Sequence, residues 1–186
     1  MEYTLNDKYD LIKNELLKTD LKDPIKIIKN IIKKDFINIH GPEHHFLDGA
    51  VFLTAYYTTN KNIYLKDALE QLKDRTMKMP GAMCGLWGIC GAVASLGASL
   101  SILHKTDPLS NDNYYKDHML FTAKVLNKMS TIGGPRCCKR NAFITIQSAV
   151  EFVNEHYNSQ MQIDKITCDY SKFNQQCLRN NCPFFK

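Results

Sequence analysis

The run AMCGLWGICGAVASLGASLSIL, residues 82–103, is the strongest indication of fold class in this sequence. It contains no charged residue, and glycine, alanine and serine are spread along it. Small residues let other backbones approach a helix closely, and a helix without a polar face is buried in a protein core or a membrane. Polar and small residues dilute its hydrophobicity, and no aromatic belt flanks it as in a membrane span. We predict a central, buried helix over this run and no transmembrane segment.

On both sides of this run, apolar residues recur at the three- and four-residue spacing of amphipathic helices. Residues 1–35 hold two such segments. Further segments run from Pro42 to about Tyr57, from about Ile63 to Met79, from Asn111 or Asp112 onward, and from Pro135 to about Tyr157. We therefore predict an all-α, single-domain helical bundle over residues 1–186, with an irregular cysteine-rich tail over residues 168–186.

Composition and charge exclude several functional classes. The chain has 186 residues, of which 44% are hydrophobic and 23% charged, as in an ordinary globular domain. Its net charge of +5 is mild, and no basic patch interleaved with aromatic residues indicates nucleic-acid binding. The start MEYTLNDKYD lacks the features of a signal peptide, so we expect a cytoplasmic location. In a reducing compartment, seven cysteines favour metal binding or thiol chemistry over disulfide bonds.

Three of these cysteines lie in the tail. Cys168, Cys177 and Cys182 form a C-x8-C-x4-C pattern followed by proline, a spacing that matches neither a common zinc knuckle nor a common ferredoxin motif. The tail around them is polar and has little core of its own. Because metal ligation supplies the ordering energy that such a segment lacks, we predict that the three cysteines bind a metal centre together.

Two stretches share one sequence pattern, in which Gly-Pro is followed by a charged residue and two adjacent potential metal ligands: Gly41-Pro42-Glu43-His44-His45 and Gly134-Pro135-Arg136-Cys137-Cys138. Proline suits the first helical position, so we expect the following residues to lie in the first turn of a helix. The helix dipole and the neighbouring basic side chains then predict lowered thiol pKa values for Cys137 and Cys138. If one of these cysteines joins the tail set, a four-thiolate site results. If neither does, a three-cysteine iron–sulfur cluster with one open iron results.

The histidine stretch and the glycine-rich run supply further candidates. Asp48 lies one helical turn after His44, where a carboxylate can orient the imidazole. Glycines beside Cys90 leave room for a bulky cofactor at its sulfur. A packing role for the whole stretch HGPEHH stays open. The predicted catalytic residues are Glu43 as an acid or base, His44 as a proton donor and Arg136 as the holder of an anionic substrate, and the predicted cofactor-binding residues are His45 and Cys90.

Four motifs carry a resemblance to a known family: HGPEHHFLDGA, GLWGICGAVASLG, GGPRCCKR and the tail ending in CPFF. Over most of the chain beyond about residue 35, the sequence resembles a domain of unknown function found mainly in anaerobic bacteria and methanogens. The segment Cys90-Gly91-Ala92 is also weakly similar to the cysteine-glycine-alanine signature of a redox family named after its spaced cysteines. The resemblance implies a cytoplasmic protein of an anaerobe with an iron–sulfur or other metal centre.

Together, these patterns predict an iron–sulfur protein, preferentially with a 4Fe–4S cluster, that has a redox or sulfur-handling role. A small molecule or a redox protein would be its partner. Two alternatives stay open: a zinc-stabilised helical interaction module without catalysis, and a metal-free dithiol switch. The predicted metal ligands are Cys137, Cys138, Cys168, Cys177 and Cys182.

Overall fold

The computed structural model describes residues 3–186, and its regular structure is helical throughout this range. In chain order the helices are α1 Leu5–Leu16, α2 Pro24–Ile31, α3 Glu43–Asn60, α4 Leu65–Thr76, α5 Met83–Leu86, α6 Gly91–His104, α7 Asn113–Ser130 and α8 Cys138–Tyr157, followed by a 3-10 turn at Arg179–Asn181. No strand occurs within residues 3–186. The buried apolar side chains join one core cluster. The prediction of an all-α, single-domain fold is confirmed.

Short polar side chains fix where several of these helices begin. Thr4 and Asp7 form a capping box at the start of α1, in which each side chain accepts a hydrogen bond from the other residue's backbone amide, at 3.2 and 3.0 Å. Asp112 caps α7 by accepting from the amide of Tyr115 at 3.2 Å. Such caps satisfy amides that have no partner inside the helix.

Helix α3 forms the centre of the bundle and packs against α1, α2, α4, α6 and α8. Its side chains are buried without interruption from Glu43 to Tyr56. Gly49 allows a close approach to α6, because a Cβ atom there would collide with the side chain and the carbonyl oxygen of Ser95. The Gly49 amide donates instead to the Ser95 hydroxyl at 3.1 Å.

The glycine-rich run does not form the continuous helix that we predicted over residues 82–103. Its second half, α6, is buried and packs against α3, α4, α7 and α8. Its first half contains the short helix α5 and a loop in which Gly88 has a φ of +70°. This left-handed conformation interrupts helical hydrogen bonding and turns Leu86 and Trp87 outward, where they are 78% and 67% exposed. The lack of charge therefore indicated burial for only half of the run.

The start of α8 also differs from the prediction. We expected Pro135 at the first helical position, but α8 begins at Cys138 and Cys137 is its N-cap. The Cys137 sulfur accepts a hydrogen bond from the amide of Arg140 at 3.4 Å, as a capping side chain does. The α3 prediction was closer, since Pro42 directly precedes the helix and Glu43 to His45 form its first turn.

The tail after α8 is irregular, as predicted, and it packs back onto the bundle. Asp164 forms an ion pair with Lys26 of α2 at 2.8 Å. Near the other end, the Phe184 ring packs edge-on against Phe143 of α8, with ring centroids 5.5 Å apart. The amide of Cys168 donates to the Phe184 carbonyl at 2.8 Å and so joins the two ends of the cysteine-rich segment. Within residues 3–186, no helix is long and apolar enough to cross a membrane.

Candidate metal centre and adjoining cleft

Four cysteines line one small, enclosed cavity between the start of α8 and the tail. Cys137 comes from the N-cap of α8, whereas Cys168, Cys177 and Cys182 come from the tail. Cys137 is buried and the other three are half-buried. The free space between them is about 20 Å³, room for one water-sized sphere. The structure thus brings together all three tail cysteines and one of the two adjacent cysteines.

N–H groups donate to three of these four sulfurs at 3.4 to 3.5 Å. Such donors stabilise the thiolate, which is the form that binds metals, although burial outweighs the donor at Cys168 and raises the pKa of that thiol. Hydrogen bonds to sulfur also tune the reduction potential of iron–sulfur clusters. The donors are the Arg140 amide and the Asn174 side chain to Cys137, the Tyr170 amide to Cys168, and the Arg179 amide to Cys177.

The cavity wall combines apolar and basic groups. Tyr170, Leu178 and Phe184 supply apolar surface. Lys139 also lines the cavity, and its ammonium group lies 5.5 Å from the centre of the Tyr170 ring. Basic groups here oppose the negative charge that several thiolates would carry. Within residues 3–186, however, no three His, Cys, Asp or Glu side chains are grouped so that they could hold a metal ion.

Asn174 connects this cavity to the segment before α3. Its side-chain amide donates to Cys137, and its carbonyl oxygen lies 3.0 Å from Nε2 of His40 and accepts from the amide of Gln176 at 2.9 Å. The other ring nitrogen of His40 accepts from the Cys138 amide at 3.5 Å. Sequence reasoning missed Asn174 and the pairing with His40, because nothing local relates residues so distant in the chain.

Cys138 lies apart from the four-cysteine cavity. It is half-buried, and its surroundings include the backbone of Gly41 and the side chains of Asp48 and Cys90. Burial raises the pKa of the Cys138 thiol to about 12, and the positive charge of Lys139 opposes this only in part. The predicted low pKa of Cys138 is therefore wrong, because desolvation of the thiolate outweighs the helix start and the neighbouring charges.

A buried polar cluster lies on the Cys138 side of α8. Lys139 donates to the Asn38 carbonyl at 2.6 Å and lies 3.0 Å from Nε2 of His44. Nδ1 of His44 is 3.6 Å from the Asp48 carboxylate, too long for a hydrogen bond. Both Asp48 oxygens are buried without a hydrogen-bond partner, and burial raises the pKa of this carboxyl group. The predicted His44–Asp48 pair is thus adjacent in space without a direct bond.

Glu43 is buried at the start of α3 and already has partners. Its carboxylate accepts from the amide of Asn38 at 2.8 Å and lies 3.6 Å from the ammonium group of Lys8. Gly41 has no side chain where a Cβ atom would collide with this carboxylate. Glu43 therefore ties the segment before α3 to α1, and neither Glu43 nor His44 lines the cysteine cavity or the cleft described below.

His45 and Cys90 both lie beside the start of α6. The His45 ring packs against Gly91, where a Cβ atom would collide with the imidazole. Burial lowers the pKa of His45, and its Nδ1 atom is buried without a hydrogen-bond partner. Cys90 is the N-cap of α6 and accepts from the Asn141 side chain at 3.2 Å. The two predicted cofactor-binding residues are therefore neighbours.

An open cleft of about 950 Å³ adjoins the cysteine cavity, a volume in the range of small-molecule sites. It lies between the loop around α5, the end of α7 and the segment before α8, and it contains Cys90 and Arg136. Arg140 lines both the cleft and the cavity. Its guanidinium group donates to the carbonyls of Gly133 and Pro135, both at 3.0 Å, and so braces the cleft wall.

The fold and these sites define an all-α protein with a four-cysteine cavity beside a ligand-sized cleft. The chain belongs to DUF5714, a family of unknown function whose model matches residues 12–185. The match begins within α1, so it is longer than the resemblance beyond about residue 35, and it includes all four cavity cysteines. Neither the curated proteins nor the solved structures gave a significant match.

Proposed function

We propose that this protein binds an iron–sulfur cluster through Cys137, Cys168, Cys177 and Cys182 and serves redox or sulfur chemistry. The observation that carries the proposal is the convergence of these four cysteines on one enclosed cavity. Four thiolates are the ligand set of a 4Fe–4S cluster. A cytoplasmic location in an anaerobe belongs to the same proposal, since such an environment keeps thiols reduced and clusters intact.

The surroundings of the cavity support this assignment. Backbone amides donate to the sulfurs, and the cavity has an apolar wall. Both features adjust the reduction potential of an iron–sulfur cluster. The tail has few apolar residues of its own, so ligation would supply ordering energy. A cluster is larger than the present free space of about 20 Å³, and its binding requires the turns between Cys168 and Cys182 to move outward. Residues 179–181 are the only regular structure in those turns.

The cleft supports a redox role in preference to a purely structural one. A redox centre next to a ligand-sized cleft, with Arg140 in both walls, suits transfer of electrons between a redox-protein partner and a small molecule. Among the predicted catalytic residues, Arg136 lines the cleft and is proposed to contact substrate. His44 touches Lys139 of the cavity wall and is proposed to hold a proton there, whereas Glu43 is proposed to position the segment that carries His44.

Zinc is the second candidate. A single ion needs less room than a cluster, so the free space of about 20 Å³ suits an ion better, although the sulfurs would have to move closer together to hold it. Zinc with four thiolates is a closed structural site that stabilises a fold without catalysis. The protein would then be a helical interaction module. The different surroundings of Cys137 and Cys138 make a dithiol switch the least supported of the three alternatives.

Metal and sulfide analysis of anaerobically purified protein tests the proposal. We expect a brown protein with about four iron and four acid-labile sulfide per chain. Colourless protein with about one zinc and no sulfide would establish the zinc alternative instead. Protein that binds neither iron nor zinc after anaerobic reconstitution would overturn both.

A further inference from the structure

The charge of the cleft indicates the class of molecule that it binds. Arg136 and Arg140 are its two charged lining residues, and the described residues that form its wall include no aspartate, glutamate or lysine. The cleft is therefore electropositive. A cationic ligand would meet repulsion there, whereas an anion would gain charge-assisted hydrogen bonds.

The two arginines have different roles. Arg140 is buried, and three of its five guanidinium N–H donors are used: Nη2 donates to the Gly133 and Pro135 carbonyls, and Nε donates to the Asn141 side chain. Arg136 is exposed and forms no ion pair with an acidic residue among residues 3–186. Its planar fork of donors is thus left for an external carboxylate or phosphate, which it can bind in a bidentate manner.

The other lining residues of the cleft indicate the chemical character of the remainder of the ligand. Leu86, Leu126 and Met129 supply an apolar wall. Cys90 and Cys84 are the two thiols among the lining residues, and both are half-buried. The Asn141 side chain donates to the Cys90 sulfur at 3.2 Å and so fixes its position at the start of α6. A ligand with its anionic end at Arg136 would present its apolar part to the leucines and a reactive end to Cys90.

We propose that the cleft binds a small organic carboxylate or phosphate, with Arg136 as the partner of the anionic group and the Cys90 thiol facing the bound molecule. The inference rests on the proposed function for the role of the cleft beside a metal centre. Binding of the anion itself uses only residues of the cleft and does not require the metal.

A pair of alkylating reagents tests this site. Iodoacetate and iodoacetamide both place a methylene carbon on sulfur, where the thiolate displaces iodide and the thiol proton passes to the buffer. Iodoacetate is anionic and iodoacetamide is neutral. We expect the ratio of the iodoacetate rate to the iodoacetamide rate at Cys90 to exceed that of free cysteine about tenfold, which corresponds to about 1.4 kcal/mol. Peptide mass spectrometry after short pulses gives both rates.

Matched variants identify the charge responsible. Arg136→Gln should return the ratio at Cys90 to nearly that of free cysteine while leaving the iodoacetamide rate unchanged. Lys116→Gln removes one exposed positive charge outside the cleft and should leave the ratio unchanged. An unchanged ratio in Arg136→Gln, or no labelling of Cys90 by either reagent in protein with a normal melting temperature, would overturn the proposal.

Protection distinguishes the two anions. Benzoate and phenyl phosphate are added separately before the iodoacetate pulse, with benzyl alcohol as the neutral control. Protection by benzoate alone assigns a carboxylate, and protection by phenyl phosphate alone assigns a phosphate. Equal protection by benzyl alcohol, or no protection by either anion, contradicts the assignment. Iron and zinc are measured in the same samples, so that failure of the metal proposal and failure of the anion site are separately visible.

Discussion

At the scale of single residues, Gly91 shows how the site limits the sequence. It is the first residue of α6, and the His45 imidazole fills the space that a side chain would need. Gly91→Ala should therefore destabilise the fold by about 1 to 3 kcal/mol through overpacking. Urea unfolding measures the loss, and Gly85→Ala is the matched control, because nothing lies within 4 Å of its Cβ position. An equal effect of the two substitutions would show that His45 does not pack as described.

Residue-level chemistry was the least predictable part of the site. The sequence sufficed to place Glu43, His44 and His45 in the first turn of a helix. It could not decide between Cys137 and Cys138, because adjacent side chains at a helix start point in different directions and only tertiary packing gives each its surroundings. The sequence also predicted a lowered pKa for Cys138, whereas burial raises it, and the degree of burial cannot be predicted from the local sequence.

At the scale of elements, the sequence pattern did not predict where α6 begins. Lack of charge and small residues correctly indicated a buried helix, but they gave no sign that Gly88 adopts a left-handed conformation. Periodicity cannot detect one backbone rotation of this kind, and the result is an exposed loop that forms one wall of the cleft. The tail was better predicted, because its loss of helical periodicity is itself a local signal.

The contact between α6 and α7 predicts a pH dependence. Burial, together with the neighbouring His118, lowers the pKa of His104 to about 4. Nδ1 of His104 lies 3.2 Å from Nε2 of His118, the Tyr114 ring stacks on His104, and Asp117 lies nearby. Below about pH 6.5 the unfolded chain binds a proton at this histidine that the folded chain does not. The free energy of unfolding is therefore unaffected by this proton above about pH 6.5 and decreases as the pH falls towards 4, by less than about 1.4 kcal/mol per pH unit because solvent screens the partly exposed imidazole.

His104→Gln should remove most of this slope. Urea unfolding of both proteins at several values between about pH 4.5 and 7 gives the difference in unfolding free energy. As the pH falls, the unfolding free energy of the wild type should decrease more than that of the variant. Parallel curves for the two proteins would contradict the assignment of this slope to His104.

The tail should respond as one unit to loss of any of its cysteines. Replacing Cys168, Cys177 or Cys182 by alanine should lower the metal content and make the segment after about Thr167 sensitive to protease, because ligation in the proposed metal centre would help to order this segment. Limited proteolysis with mass mapping detects the cleavage. Cys84→Ala is the control, since Cys84 lines the cleft and not the cavity. Full metal occupancy in all three tail variants would refute the tail site.

At the scale of the whole molecule, the sequence predicted which segments are helices and that they form one domain. Each helix carries its own apolar periodicity, so that information is local. The meeting of Cys137 with the tail, the bridge from Asn174 to His40, and the cleft shared by α5, α7 and α8 are long-range results of packing. The sequence left a four-thiolate and a three-cysteine site open, and the four-cysteine cavity is the basis on which we propose the four-thiolate site.

The adjacent cysteines provide the most direct test of this account. Cys137→Ser and Cys138→Ser make the same chemical change at neighbouring positions, and only Cys137 lines the four-cysteine cavity. Each protein is purified anaerobically and its iron, sulfide and zinc are measured per chain. We predict that Cys137→Ser loses most of its bound metal, whereas Cys138→Ser keeps the wild-type content. Equal retention in both variants, or loss confined to Cys138→Ser, would contradict the proposed four-cysteine centre.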